Sequence, residues 1–164
     1  MEIREARPDE HDEAGRITAD AYRGLVRDQA YLSRIADVTD RAARTVILIA
    51  IEAGSIVGSL TLELHTRVNA EDDPLEEHQA HIRMLGVAPA AQGRGIGRAL
   101  MHEAEARARA VGKTEMTLHT TRWMTAAQAM YEVLGYARMP DEVFPDGLVL
   151  LGYRKELGAG EGSG

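Results

Sequence analysis

The stretch Pro89–Arg98 (PAAQGRGIGR) constrains this chain more than any other. Before it lies the apolar run Ala80–Ala88, which reads as a strand stopped by Pro89. After it, from about Gly95 to Val111, Ile96, Leu100, Ala104 and Val111 recur at helical spacing, with Gly112 as the expected cap. A second strand-like run, Glu115–Thr120, follows, so strand, glycine turn, helix and strand form a crossover whose two strands should pair in parallel. Gly93, Gly95 and Gly97 permit backbone angles and close approaches that side chains forbid. A structural tight turn needs one or two such glycines, and here there are three. Their amides lie at the positive end of the following helix, a ready site for phosphate, and Arg94 and Arg98 flank them.

The rest of the chain builds an α/β domain of α+β type around that crossover. Glu2–Ala6 alternates as a short strand, and Pro8-Asp9-Glu10 opens a helix with Ala14, Ile17, Ala21 and Leu25 on one face. A second helical stretch spans Tyr31–Arg44. Thr45–Ile51 is a buried strand, turning at Ala53-Gly54-Ser55 into Ile56–His65. In that strand Leu60, Leu62 and Leu64 face one way and Ser59, Thr61, Glu63 and His65 the other. Residues 67–79 are polar and read as an exposed loop. Met124–Leu134 is a helix with Ala126, Ala127, Met130, Val133 and Leu134 inward, and two closing strands follow near Tyr136–Met139 and Leu148–Lys155. The order predicts a mixed, mostly antiparallel central sheet flanked by helices, one domain over residues 1–157, and a disordered glycine-rich tail over 158–164.

Spacing decides which phosphate ligand the glycine turn suits. A dinucleotide fingerprint needs a third Gly where Arg98 stands, and a P-loop needs Gly-Lys-Ser/Thr, which is missing. The pattern Gln92-x-x-Gly95-x-Gly97, after a strand ending in Val-x-Pro, instead resembles the acetyl-CoA loop of the GNAT family of N-acetyltransferases. The family's later motif, Tyr-x-x-x-Gly-Tyr/Phe, is matched without a gap by Tyr131–Tyr136. The resemblance covers about Ala80–Tyr136 closely and the amino-terminal elements more loosely. It implies acetyl-CoA as co-substrate, with the pyrophosphate on the amides of Gly93, Arg94, Gly95, Ile96, Gly97 and Arg98, and Gln92 in the same loop. It also implies a bulge at Gly86 that splays this strand from the next and frees Leu85 and Val87 to pair with the pantetheine arm. A glycine inside an apolar strand marks either such a bulge or a neighbour packed tightly against it.

The reaction implied is acetyl transfer to a primary amine of a small molecule or peptide by direct attack on the thioester. The resemblance assigns Tyr131 as general acid; packing at the helix edge is the plainer alternative. The Val87 amide is the donor to the thioester carbonyl. Family members often carry Glu four or six residues before that Val, positions held here by Arg83 and His81. His81 can accept a proton near neutrality, and Glu63 and His65 on the neighbouring strand are further candidates. Met124 stands where many relatives have Asn, with Thr120, Thr121 and Thr125 nearby. Trp123, the one tryptophan, lines the acceptor cleft or packs in the core. A non-catalytic acyl-CoA sensor and a transferase for longer acyl groups are the competing readings.

Composition bounds the rest. The net charge of −7 argues against nucleic acid and suits a cationic acceptor. All but two of the 19 Lys and Arg residues are arginine, a bias that codon usage in a GC-rich genome explains, Arg94 and Arg98 apart. With no Cys, disulfides, thiolate metal sites and a Cys nucleophile are excluded, and no metal is expected from the isolated pair His78-x-x-His81. No apolar run is long enough for a membrane span, so a cytoplasmic protein is expected. Similar proteins often dimerise through carboxy-terminal strands, which leaves a homodimer open.

Overall fold

The structure is a computed structural model that describes residues 1–26 and 28–158. Seven strands form one sheet: β1 (Glu2–Glu5), β2 (Val46–Glu52), β3 (Ser55–Glu63), β4 (Gln79–Val87), β5 (Glu115–Thr120), β6 (Ala137–Val143) and β7 (Val149–Glu156), in the order β1-β2-β3-β4-β5-β7-β6. Every pair is antiparallel except β4–β5, the pair joined by the crossover helix α4 (Ile96–Ala110). The remaining helices are α1 (His11–Tyr22), α2 (Gln29–Ala36), α3 (Val38–Ala42) and α5 (Thr125–Val133). The expected mixed sheet is therefore observed; the glycine-rich residues 159–164, expected to be disordered, lie outside the described residues.

One face of the sheet packs on α4, where Leu100, Met101, Ala104 and Ala108 meet Leu48, Leu60, Leu62, Ile82 and Leu118. The other face is covered by α1 and α3, through Ala14 and Val38 against Ile47, Ile49 and Ile56. Burial of both faces changes the reading of β3. Its Leu60 and Leu62 point to α4 as the alternation predicts, but Ser59, Thr61 and Glu63 are buried too. Buried polar groups need partners, and the structure supplies arginines: Arg41 Nε donates to Thr61 Oγ1 at 3.0 Å and Arg67 Nε to Glu63 Oε1 at 2.9 Å.

The helices differ from the sequence expectation in three places. The stretch Tyr31–Arg44 is broken at Asp37, whose carboxylate accepts from the Asp40 amide at 3.1 Å and so starts α3 afresh; Asp28 caps α2 likewise. In α1 the buried face is Ala14, Gly15, Thr18, Ala19 and Tyr22, while Leu25 falls beyond the helix end and is exposed. Gly15 is there because the Ala36 carbonyl crosses so close that a Cβ would sit 2.0 Å from its oxygen. In α5, Val133 is 69% exposed and Tyr131 is the buried residue, because the helix lies against the sheet through Tyr153 and Tyr136.

The β4–β5 pair matters most for the site. It is in register only from Gln79–Glu115 to Ile82–Leu118. Beyond that point β4 stays with β3 as far as Val87–Gly58, while β5 stays with β7 as far as Thr120–Leu151, so the two strands part. A bulge accompanies the parting. Ser59 pairs with Gly86 and Thr61 with Arg83, so Leu60 alone faces both Met84 and Leu85. Met84, with φ +56°, takes the left-handed backbone. The bulge expected at Gly86 thus sits at Met84–Leu85. Gly86 is regular strand, and its missing side chain admits α1, since a Cβ would lie 3.1 Å from Ala21 Cβ and 3.3 Å from Thr18 Cα.

Candidate active site

Where the strands part, the backbone of Val87 is left facing the gap. The Ala88 amide donates to the Val57 carbonyl of β3 at 2.8 Å; successive residues alternate direction, so Val87 turns its N–H and C=O away from β3. The Gln92 side chain reaches back to donate to the Val87 carbonyl at 3.2 Å, which fixes the loop against the strand and leaves the Val87 amide without a partner strand.

The glycine turn continues from there. Gly93 and Gly95 hold φ of +80° and +83°, left-handed angles that other residues adopt at a cost, with open space where each side chain would be. Gly95 starts α4 without any side-chain cap, and the first helical bond runs from the Ala99 amide to the Gly95 carbonyl at 3.0 Å. The amides of Ile96, Gly97 and Arg98 precede that bond and point out of the helix start. Ile96 contributes only its amide, because its side chain is in the core. Gly97 faces α5, with Met130 Sδ 3.5 Å from where its Cβ would stand. Arg94 forms an ion pair with Glu52, whereas Arg98 is exposed. The pieces fit a nucleotide-linked thioester: an uncapped helix start for phosphate, and an unpaired amide at the parted strand for an amide-bearing arm.

A cavity of about 890 Å³ opens on the other side of the gap, bounded by the α1–α2 connection, α3, the bulged part of β4, the end of β5 and the segment before β7. His81, Leu85 and Tyr131 all line it. Tyr131 is buried, and burial beside Tyr153 holds its phenol well above the usual range, so it stays protonated. The second tyrosine of the motif is structural: Tyr136 Oη donates to buried Glu105 Oε2 at 2.7 Å, and Lys155 Nζ meets the other oxygen at 3.0 Å, tying α4 to β7.

The base candidates separate clearly. His81 is buried, its Nδ1 lies 2.7 Å from Thr117 Oγ1, and its ring centroid is 5.3 Å from that of His119. Thr117 Oγ1 also lies 3.3 Å from the Ala80 carbonyl, which can only accept. In the tautomer with its hydrogen on Nδ1, His81 donates to Thr117 and Nε2 keeps its lone pair. Burial, then the positive charge of Arg83, pushes the imidazole well below its ordinary value, so it is neutral at pH 7. Glu63, opposite His81 in the sheet, is fully buried and committed: it accepts from Arg67 and the Val68 amide and lies 3.6 Å from Arg83. It does not line the cavity, and His65 is exposed beyond the strand end. Trp123 is half exposed at the cavity wall, donating from Nε1 to the Leu25 carbonyl at 3.1 Å.

A profile of the acetyltransferase (GNAT) family matches residues 10–136, a span that takes in the parted strands, the glycine turn and the tyrosine motif. The chain belongs to the GNAT family. A mycothiol acetyltransferase of Thermobispora bispora is 33% identical over 91 residues, which are 56% of this chain and 30% of that protein. The chain thus spans less than a third of the length of the curated relatives it matches. Among solved structures, a Salmonella typhimurium acetyltransferase fold with its cofactor acetyl-CoA superposes with TM-score 0.72 at 20% identity, over 95% of this chain and 93% of that one. An aminoglycoside 6′-acetyltransferase type Ii gives TM-score 0.76 at 16% identity, over 96% and 97%. These likenesses establish a shared GNAT fold. Among the described residues no helix is long and apolar enough to cross a membrane.

Sequence reasoning misses Met84, Arg41 and Gly15. No local signal marks the first two, since a left-handed methionine and a buried arginine are products of the packing around them. Gly15 sits in an Ala-rich helical run where a glycine is out of place, and that oddity is the available clue.

Proposed function

We propose that the chain is an acetyl-CoA-dependent N-acetyltransferase acting on the primary amine of a small molecule or peptide. The observation that carries this reading is the parting of β4 from β5 after Ile82–Leu118, with the unpaired Val87 amide and the uncapped α4 start on one side and buried Tyr131 on the other. Acetyl-CoA, when bound, supplies the thioester whose C–S bond is exchanged for an amide to the acceptor nitrogen. The amides from Gly93 to Arg98 would hold its phosphates. The Val87 amide donates to the carbonyl oxygen and stabilises charge developing there. His81 Nε2 takes the proton that the acceptor nitrogen loses; its depressed pKa keeps it unprotonated down to mildly acidic pH, at the expense of driving force. Tyr131 Oη holds a proton at every working pH and gives it to the departing sulfur. Glu63 orients Arg83 and Arg67 rather than meeting the acceptor.

The relatives' names mention mycothiol and aminoglycosides, two chemically different compounds, so they do not choose an acceptor for this chain. The test is incubation with acetyl-CoA and an amine panel while following free thiol. Release with at least one amine supports the reading. Acetyl-CoA binding with no release for any amine points to a sensor module, and preference for longer acyl-CoA points to a different acyl donor.

A further inference from the structure

Among the described residues, four buried side-chain polar atoms lack a hydrogen-bond partner, and three of them belong to walls of the same cavity: Arg41 Nη2, Arg83 Nε and Thr121 Oγ1. Arg83 Nε faces Glu63 Oε2 at 3.6 Å, whereas Arg41 Nη2 and Thr121 Oγ1 have no such partner, and unmet buried polar atoms at one cavity point to a ligand that satisfies them. Arg41 is the most informative of the three. It is 1% exposed, on α3, and its other donors are spent on its own surroundings: Nε on Thr61 Oγ1, and Nη1 on the carbonyls of Arg34 at 2.9 Å and Asp37 at 3.3 Å. Burial lowers its pKa to about 10, so the guanidinium is still charged at neutral pH.

The charges around the cavity leave Arg41 as the buried cation without a counterion. Arg83 and Arg67 are balanced by Glu63 and Asp72, with Arg83 Nη2 at 3.1 Å from Asp72 Oδ2 and Arg67 Nε at 2.9 Å from Glu63 Oε1. The other acids at the wall are engaged elsewhere: Asp28 and Asp37 cap helices, Asp40 pairs with Arg44, and Asp146 accepts from the Leu148 amide. Among the described residues Arg41 has no ion pair within 4.0 Å; Asp37 and Asp40 act on it only from farther off, and Nη2 has no partner. Arg83 stands beside it, because Thr61, the residue Arg41 bonds, is the register partner of Arg83 on β4.

We infer that the acceptor is a small amine that also carries a carboxylate, received by the free Nη2 edge of Arg41. This rests on the transferase reading for its amine and on Arg41 for its acid. A buried cation without an ion pair suits a monoanion, and a charged guanidinium edge is a strong partner for a carboxylate. It also reverses the expectation from net charge: the acidic chain builds a cationic receptor inside its acceptor cavity.

The test compares each amino acid with its own carboxamide, using leucine and leucinamide, then phenylalanine and phenylalaninamide. The carboxamide amine loses its proton more readily and holds the chemical advantage, so preference for the acid reports the receptor. The expected ratio of kcat/KM, acid over carboxamide, is about tenfold or more in favour of the acid. That ratio falls towards one in Arg41→Gln, with acetyl-CoA binding measured on the variant to show that it is folded. Should Arg41→Gln not fold, the wild-type ratio and calorimetric binding of leucine against leucinamide, without acetyl-CoA, decide alone. Equal binding and turnover of acid and carboxamide overturn the inference. Binding of leucine but not leucinamide, with no thiol release from any amine, upholds the receptor and refutes the transferase.

Discussion

Replacing Gly15 with alanine sets two physical effects against each other, and the structure says which prevails. In an isolated helix the change stabilises by about 1 kcal/mol, because alanine is the better helix former. In this chain the new Cβ would stand 2.0 Å from the Ala36 oxygen and 2.9 Å from its carbon. Unstrained contacts settle near 3.5 Å, so the body of α1 and the end of α2 must part by roughly 1.5 Å. The atoms in the way are backbone, which cannot rotate aside. The parting also loosens the cluster of Ala19, Tyr22, Leu32 and Ile35 that those helices share. Overpacking of this kind costs about 3 kcal/mol at the upper end of its range, leaving a net loss near 2 kcal/mol. Urea denaturation reads this directly: with a slope of about 2 kcal/mol per molar, the midpoint drops by about 1 M. Gly24→Ala is the matched control, since a Cβ there would meet nothing within 4 Å and its φ is not left-handed. There a gain of about 0.5 kcal/mol is expected from the stiffer unfolded chain. A midpoint for Gly15→Ala equal to or above wild type would refute the reading of α1 and α2 as locked together at that carbonyl.

Three further outcomes follow from the site. Tyr131→Phe lowers kcat by about a hundredfold and leaves acetyl-CoA affinity within twofold, read by thiol release and calorimetry; undiminished turnover across pH removes Tyr131 from the chemistry. Gly95→Ala forces a side chain into φ +83°, costs about 1–2 kcal/mol, and weakens acetyl-CoA binding by about tenfold, whereas tight binding would place the phosphates elsewhere. His81 is held neutral in the folded chain and takes a proton near pH 6.5 once unfolded, so stability is full above that pH and declines as pH falls below it. The slope from this one group approaches about 1.4 kcal/mol per pH unit, and His81→Gln should flatten it between pH 6.5 and 5.5 in urea titrations.

The parts of the fold legible in the sequence are those set by neighbours along the chain. The crossover and the parallel pairing of β4 with β5 follow from local spacing, and the structure has them; of the three turn glycines, Gly93 and Gly95 take left-handed angles and Gly97 does not. What stays illegible depends on which element covers which. Ser59, Thr61 and Glu63 look like a solvated face because alternation gives the period of a strand, not what lies above it. What packs over it makes that face an interior, and only then does Arg41 acquire meaning. Gly86 reads as the bulge because glycine often marks one, yet its work is to admit α1 while Met84 bends the strand. Tyr131 is visible as a motif residue, but its inward turn at the place where Val133 is expected reflects the tyrosine stack with Tyr136 and Tyr153.

The short pairing of β4 with β5 divides the molecule mechanically. To one side lies the antiparallel group β1–β4, to the other β5–β7–β6, and residues 79–82 against 115–118 are the seam between them. Past Ile82 the two groups share no strand pairing and are joined by α4, by contacts such as Trp123 to Leu25, and by whatever occupies the gap. A force pulling the groups apart would therefore meet its resistance at that seam, and a molecule bridging the open end would act as a clasp. Force spectroscopy with handles on β3 and β7 would register such a clasp as a higher rupture force, with no change in the strength of either group by itself.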